Sequence, residues 1–316
     1  MELSGSVLLV GGSGYLGRAF LRRARSEKWD ARFTVMSRDD HKLKDVLKKY
    51  PETHCIRGDV SSNPEYLSQI FRGHDTVIHM AAAKHVDMAE SNVLATYETN
   101  VAGTRNVLLA AMAARVRRLI FTSTDKACSP QSTYGVTKLL GERIVAEFGS
   151  RGDVPAVSVR YGNVVSSTGS FTKILKEQYE SLGYVKITDP GMTRFWMGVN
   201  DAIDLVLLAH ERGNPGSVLI PFPKAMKISD VAEAACPGVE QRIIGRRNGE
   251  KTDERLLNIN ESLLTATYSN PQYFELFPMN SHFKSKEDPF TLSSRYPKYW
   301  LTTSEMQELI ADAETV

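Results

Sequence analysis

Between Ser123 and Lys138 the chain reads STDKACSPQSTYGVTK, and four groups in it can move protons. Asp125 and Lys126 set a carboxylic acid beside an amine. With both pKa values shifted toward neutrality, such a pair can donate one proton while removing another. In an ordinary loop the same pair is a solvated surface ion pair. Tyr134 and Lys138 stand four residues apart, so a helix puts them on one face. A phenol ionises at about pH 10, and a nearby ammonium lowers that value by favouring the phenolate. This second pair suits the abstraction of a hydroxyl proton. Which chemistry results depends on what the surrounding elements hold beside these groups.

Those elements follow a regular order. An apolar strand at Ser6 to Val10 leads through GGSGYLG into a helix from about Gly14 to Ser26. Gly11, Gly14 and Gly17 permit a sharp turn, close approach of the backbone to a pyrophosphate and tight helix packing. The helix N-terminus adds free N–H groups and a positive dipole. The run sits in the strand–turn–helix context that this motif requires; a tight turn without a ligand is the plainer alternative. Further strands are RFTVMS (Arg32 to Ser37), HCIRGDV, DTVIHMAA from Asp75, RRLIFTST and AVSVRYGN from Ala156. Long helices are expected over about Ser91 to Arg115 and Thr133 to Phe148. This βαβα order of apolar strands predicts a parallel sheet covered by helices on both faces. It also puts Asp125 and Lys126 at the carboxyl end of the fifth strand, the edge where ligand sites form.

The end of the second strand distinguishes the two dinucleotides. NAD is met there by an acid on the ribose hydroxyl, NADP by a cation on the 2′-phosphate. The chain offers MSRDD, and Ser37 with Arg38 suits a phosphate. Asp39 and Asp40 argue the other way but fall late enough to cap the next helix. NADP is the favoured cofactor. Beyond Ser166 the rhythm loosens into a helix near Phe171 to Leu182, a strand at Val185 to Thr188 and a helix over Val199 to Ala209. The expected division is a dinucleotide-binding domain at 1–165, with 199–220 returning to its sheet, and a smaller domain at 166–316.

Composition narrows the classes. With 316 residues, 39 basic against 37 acidic side chains and a net charge of +2, nothing favours nucleic acid or an anionic membrane. Cys55, Cys128 and Cys236 are too sparse for a disulfide framework or a zinc site, so no metal is expected and a reducing compartment fits. No run approaches the roughly 20 apolar residues of a membrane helix, and MELSGSVLLVGG lacks the basic start of a signal peptide. A soluble, cytoplasmic protein is the expectation.

Tyr-x-x-x-Lys downstream of a glycine-rich nucleotide loop resembles the signature of the short-chain dehydrogenases/reductases, in their extended, nucleotide-sugar branch. The resemblance implies an α/β fold: a Rossmann-type doubly wound parallel sheet with a smaller C-terminal substrate domain. It also implies a Ser or Thr at the position of Thr124 to bond the hydroxyl being oxidised. Asp125 and Lys126 then add something a simple dehydrogenase lacks. Oxidation of a sugar at C4 acidifies C5–H; a base removing that proton and an acid protonating the C6 hydroxyl eliminate water. STDKA…P…YG.TK is similar to the soluble UDP-N-acetylglucosamine 4,6-dehydratases of the polysaccharide-biosynthesis type. Their inverting members also epimerise C5 and open the route to pseudaminic acid, whereas membrane-anchored relatives often carry Met in place of Tyr134.

By this resemblance, Thr124, Asp125, Lys126, Tyr134 and Lys138 are catalytic. Cofactor contacts fall on Gly11, Ser13, Gly14, Tyr15, Leu16, Gly17, Ser37, Arg38, Asp59, Val60, Ala81, Ala82, Lys84, Asn100, Tyr134, Lys138, Tyr161 and Asn163. Contacts to the UDP-sugar fall on Lys84, Asn163, Thr193, Arg194, Arg246 and Glu250, with Lys251 beside them. A homo-oligomer through paired long helices is implied as well. The chain departs from the family after YGNVV, where SSTGS puts Thr168 in the place of an arginine. It departs again in GEKTDE, where Thr252 and Asp253 replace the common Leu and His. Three other readings stay open: a retaining dehydratase, a 4-epimerase that leaves Asp125 and Lys126 unused, and a non-catalytic NADP-binding sensor or scaffold.

Overall fold

The computed structural model describes residues 1–313 except 168, 248, 271 and 286, so the Thr168 departure lies outside the described residues. The first half alternates β1 (Gly5–Val10), α1 (Tyr15–Ser26), β2 (Ala31–Ser37), α2 (Asp40–Lys49), β3 (His54–Arg57), α3 (Pro64–Phe71) and β4 (Thr76–His79). Then come α4 (Val86–Ser91), α5 (Val93–Tyr97), α6 (Gly103–Ala113), β5 (Arg118–Thr122), α7 (Thr133–Arg151) and β6 (Ala156–Val159). The second half contributes β7 (Asn163–Val164), α8 (Phe171–Leu182), β8 (Tyr184–Ile187), β9 (Thr193–Met197), α9 (Val199–Arg212), β10 (Val218–Pro221), β11 (Lys224–Lys227) and α10 (Ile228–Ala235). It ends with β12 (Glu240–Ile243), β13 (Arg255–Leu257), α11 (Ile259–Ser262), β14 (Thr265–Ser269), β15 (Gln272–Leu276), β16 (Leu292–Ser293) and α12 (Thr303–Ala313).

Nine strands form one sheet in the order β14-β15-β10-β6-β5-β4-β1-β2-β3. From β3 to β10 all neighbours are parallel. The β14–β15 hairpin adds an antiparallel edge. Successive residues of a strand point to opposite faces, and β1 buries both. Val7 and Leu9 join Val35, Ile78 and Ile120 under α1 and α9. Leu8 and Val10 join Val77 and Phe121 under α3 and α6. Each such buried side chain stabilises the fold by about 1.5–3 kcal/mol relative to exposure, which is why the strands read as continuous apolar runs. The sheet is the doubly wound α/β arrangement. Strand order grows outward from β1 through β2 to β3, then returns to β4 on the other side. The loops after β1 and β4 therefore part and open a crevice at the carboxyl ends of the strands.

Two features depart from the sequence pattern. The single helix expected over Ser91 to Arg115 is broken by a π-helical turn at Glu98–Ala102 between α5 and α6. The turn directs Asn100 inward, where its side chain accepts from Ala83 N at 2.8 Å and donates to Ala83 O at 3.0 Å and Thr137 Oγ1 at 3.1 Å. Satisfying a buried amide outweighs continuing the regular helix. Second, the return to the main sheet is larger than 199–220. Beyond β10, paired with β6, the hairpin at Thr265–Leu276 extends the same sheet. Three smaller sheets, β11-β9-β7, β12-β8 and β13-β16, stand over the crevice side of the C-terminal half. No helix among the described residues is long and apolar enough to cross a membrane.

Candidate active site

The proton-moving groups converge because two short elements abut. β5 runs out into a single 3-10 turn at Asp125–Ala127, capped by Thr124, whose Oγ1 accepts from Lys126 N at 3.4 Å. Ser132 opens α7 by accepting from Gly135 N at 3.2 Å, which puts Tyr134 in the first turn and Lys138 one turn on. A Cβ at Gly135 would lie 2.4 Å from Lys126 O, so the glycine is what lets α7 close on the Asp125–Lys126 turn. Thr124 Oγ1 donates to Asp125 Oδ1 at 3.1 Å and Lys126 Nζ donates to the same oxygen at 2.9 Å. Lys138 Nζ is held by Thr122 O at 2.7 Å and lies 3.8 Å above the centre of the Phe121 ring.

A single cleft of about 1310 Å³ runs from the glycine loop past these groups to the C-terminal half. Its walls include Gly11, Ser13, Gly14, Tyr15, Leu16, Gly17, Ser37, Arg38, Asp59, Val60, Ala81, Ala82, Lys84, Tyr161 and Asn163. Thr124, Lys126, Tyr134, Lys138, Arg194 and Glu250 are on the walls as well. Four expected residues are not. Asp125 is fully buried behind Lys126. Asn100 acts from behind, through Ala83. Thr193 is buried with its hydroxyl 2.9 Å from Ser294 Oγ. Arg246 pairs with Asp189 at 3.6 Å outside the walls, and it is Arg247 that lines the cleft.

The glycine loop is shaped for a ligand that lies against backbone. A Cβ at Gly17 would meet Gly12 O at 2.1 Å, so α1 packs directly on the loop and its N-terminus faces the cleft. Ser13 Oγ donates to Ser37 Oγ at 2.8 Å, tying the loop to the end of β2. Asp39 is the N-cap of α2, accepting from Lys42 N at 3.1 Å, while Arg38 remains two-thirds exposed with a loose 3.8 Å pairing to Asp59. The Arg38 guanidinium is thus left open toward a ligand at the end of β2.

The ionisation states differ from those expected of an isolated segment. Burial raises the Tyr134 hydroxyl to about 12, against the pull of the Lys126 charge, so the expected lowering does not occur. Burial drops Lys138 to about 7, with Glu142 opposing, so at neutral pH it is only partly an ammonium. Burial raises Asp125 despite Lys126, as an acid requires. Burial also works to lower Lys126, but Asp125 and Glu254 outweigh it, and the amine moves up, away from neutrality. Lys126 is therefore held as the ammonium.

Glu254 is the residue that sequence reasoning missed. It is 3 % exposed, its Oε1 lies 3.5 Å from Lys126 Nζ, and its Oε2 lies 3.4 Å from Lys251 Nζ. Lys251 in turn donates to Cys128 O at 2.9 Å, which ties the GEKTDE segment to the catalytic turn. Arg194 stabilises that segment by donating to Lys251 O at 2.8 Å and Thr252 O at 3.3 Å. No local spacing signals Glu254, because its partner lies far back along the chain.

Comparison with known proteins agrees with this architecture. A family model described as polysaccharide biosynthesis protein matches residues 7–275. The chain is 34% identical to a UDP-N-acetylglucosamine 4,6-dehydratase (inverting) of Campylobacter jejuni subsp. jejuni serotype O:2, over 98% of each chain. It is also 34% identical to a UDP-glucose 4-epimerase of Rickettsia massiliae, over 83% of this chain and 80% of that one. The fold is similar to the X-ray structure of Pen from Bacillus thuringiensis, with a TM-score of 0.89 and 27% identity over 99% and 98% of the two chains. With more than half its length matched by the family model and a near full-length relative, the chain belongs to the polysaccharide biosynthesis protein family.

Proposed function

We propose that the protein is an NADP-assisted UDP-N-acetylglucosamine 4,6-dehydratase that inverts C5 and releases a UDP-4-keto-6-deoxy-HexNAc. The observation that carries this reading is the buried Asp125 hydrogen-bonded to Lys126 at 2.9 Å, on the turn that α7 packs against with Tyr134. Residues 1–165 would hold the dinucleotide along the glycine loop, Ser37 and Arg38. Residues 166–316 would cover the sugar nucleotide. A bound nicotinamide supplies a hydride acceptor for C4 that later returns the hydride to C6, so no net oxidation results.

Thr124 and Tyr134 bond the C4 hydroxyl; Tyr134, a phenol at rest because burial raises it to about 12, must first give its own proton to solvent, and as phenolate it takes the hydroxyl proton while the C4–H hydride leaves. The resulting ketone acidifies C5–H. Lys126, having passed its proton to Asp125, takes the C5 proton; protonated Asp125 delivers its own to the C6 hydroxyl, which departs as water. This step returns the pair to ammonium and carboxylate, and a solvent proton delivered to C5 from the opposite face gives inversion. Among the cleft-lining residues, Lys84, Asn163, Arg194 and Glu250 are assigned to the sugar nucleotide, and Arg247 and Lys251 to its diphosphate. Thr193 supports them from behind. A cytoplasmic homo-oligomer belongs to the same reading. The 4-epimerase relative favours a second reading in which Thr124, Tyr134 and Lys138 suffice; it leaves the Asp125–Lys126 pair without a task.

The test is proton NMR of UDP-N-acetylglucosamine incubated with the protein and NADP in D₂O. A C6 methyl signal with deuterium at C5 is expected, with ring couplings reporting inversion, and Lys126→Ala should bind NADP yet produce no methyl. A 4-epimer without methyl, or turnover by Lys126→Ala, overturns the assignment.

A further inference from the structure

The Lys126 amine is shared by two carboxylates that come from different halves of the molecule. Asp125 precedes it in the same turn, and Glu254 is carried in just ahead of β13. Glu254 is rigidly placed. Its N–H donates to Ser294 Oγ at 2.9 Å, its carbonyl accepts from Ser294 N at 2.9 Å, and Ser294 Oγ donates to Thr193 O at 3.1 Å. The staple therefore joins β9, β16 and the Glu254 backbone into one support for a buried carboxylate.

We propose that Glu254 is a positioning residue for the Asp125–Lys126 pair: it anchors the Lys126 amine and, through a fixed negative charge, moves to higher pH the range in which the pair holds a single shared proton. This rests on the reading of that pair as the acid and base of dehydration. One proton shared between an amine and a carboxylate is the state that can act, since it includes the protonated Asp125 and neutral Lys126 that elimination requires.

The surrounding charges keep Glu254 itself ionised. Lys126 on its own turn, Arg194 on β9 and Lys251 near the start of the same loop all face it, and together they hold its carboxyl below the usual range against the cost of burial. The groups that face Lys126 are Asp125 in the same turn, Glu254, Arg194 and the Tyr134 hydroxyl on α7. A permanent anion beside this set raises both the amine and the Asp125 carboxyl, and so separates two carboxylates that share one ammonium into a charged partner and a proton carrier. Because Glu254 belongs to the half assigned to the sugar nucleotide, the pair is completed only when that half is packed on the first.

The first experiment needs no substrate. Protein labelled with ¹³C at aspartate side-chain carboxyls is titrated by NMR, and the Asp125 signal is identified as the one lost in Asp125→Asn. In the wild type it should titrate above the ordinary aspartate value of about 4, and in Glu254→Gln it should fall by about one unit or more. Glu254→Asp should return part of the shift. The second experiment measures dehydration of UDP-N-acetylglucosamine against pH, where both limbs of the profile should move to lower pH in Glu254→Gln. An Asp125 titration that is unchanged in folded Glu254→Gln, or in Glu254→Asp if the former does not fold, overturns the proposal. A wild type that fails to dehydrate the sugar overturns the reaction reading alone, since the NMR titration stands independently of it.

Discussion

Lys138 is a buried amine whose charge the fold resists. It is 3 % exposed, with its nitrogen against the Phe121 ring and, among the described residues, a backbone carbonyl as its hydrogen-bond acceptor. The unfolded chain keeps the Lys138 proton up to about pH 10.5, while the folded chain releases it at about 7. Between those values the unfolded state binds more protons, so this group makes stability rise with pH. Relative to Lys138→Met, wild type should therefore gain about 1.4 kcal/mol per unit between roughly pH 7 and pH 9. Urea unfolding of the ligand-free proteins across that range measures the difference. Parallel stability curves would mean that Lys138 is an ordinary ammonium.

At the scale of elements, the proposed catalysis depends on how closely α7 approaches the Asp125–Lys126 turn. Gly135 permits that approach, since a methyl group there would fall 2.4 Å from a backbone oxygen that cannot rotate away. Gly135→Ala should push α7 outward, costing about 1–3 kcal/mol from overpacking, and should separate Tyr134 from Lys126. A displacement of about 1 Å at the reacting groups costs up to ~100-fold in rate, so kcat should fall by that order while affinity for the nicotinamide cofactor holds. Steady-state kinetics beside a cofactor titration checks this, and an unchanged kcat would show that the helix can slide without consequence. The π-helical turn before α6 is the parallel case on the cofactor side: it costs regular helix geometry and places Asn100 to hold Ala83 at both backbone groups.

For the whole molecule, one buried cation bridges the two halves. Arg160, at the end of β6 and fully inaccessible, forks to Glu142 on α7 at 2.6 and 3.0 Å and to Glu261 on α11 at 2.9 and 3.0 Å, and also donates to Leu256 O at 2.9 Å. Glu142 lies one turn beyond Lys138, so this network ties the catalytic face of α7 to the segment that carries Glu254. Arg160→Ala would leave two carboxylates buried without their cation, and about 3–5 kcal/mol of destabilisation follows. Chemical denaturation should show this loss as a lower midpoint. A loss under about 1 kcal/mol would mean that the carboxylates are neutralised by protonation at little cost.

Much of the site was legible because it depends on neighbours in the chain. The glycine run announces itself by lying between a strand and a helix. Tyr134 and Lys138 share a face by helical spacing alone, and Asp125 and Lys126 are adjacent. The alternation of buried strands and helices likewise follows from residues within a turn or two of one another, and with it the doubly wound sheet and the edge at which a site must lie. What only the tertiary structure decided are quantities set by distant groups. Lys126 is an ammonium rather than a near-neutral amine because Asp125 beside it, and after it Glu254 arriving from the other half, outweigh the cost of burial. Tyr134 lies at about 12 rather than below its ordinary value because burial exceeds the nearby positive charge. Arg247 lines the cleft in place of Arg246 because the path of a loop, not its composition, chooses which side chain faces inward. Propensity and periodicity act over a few residues, whereas desolvation and Coulomb energy depend on separations in space that long-range packing alone determines.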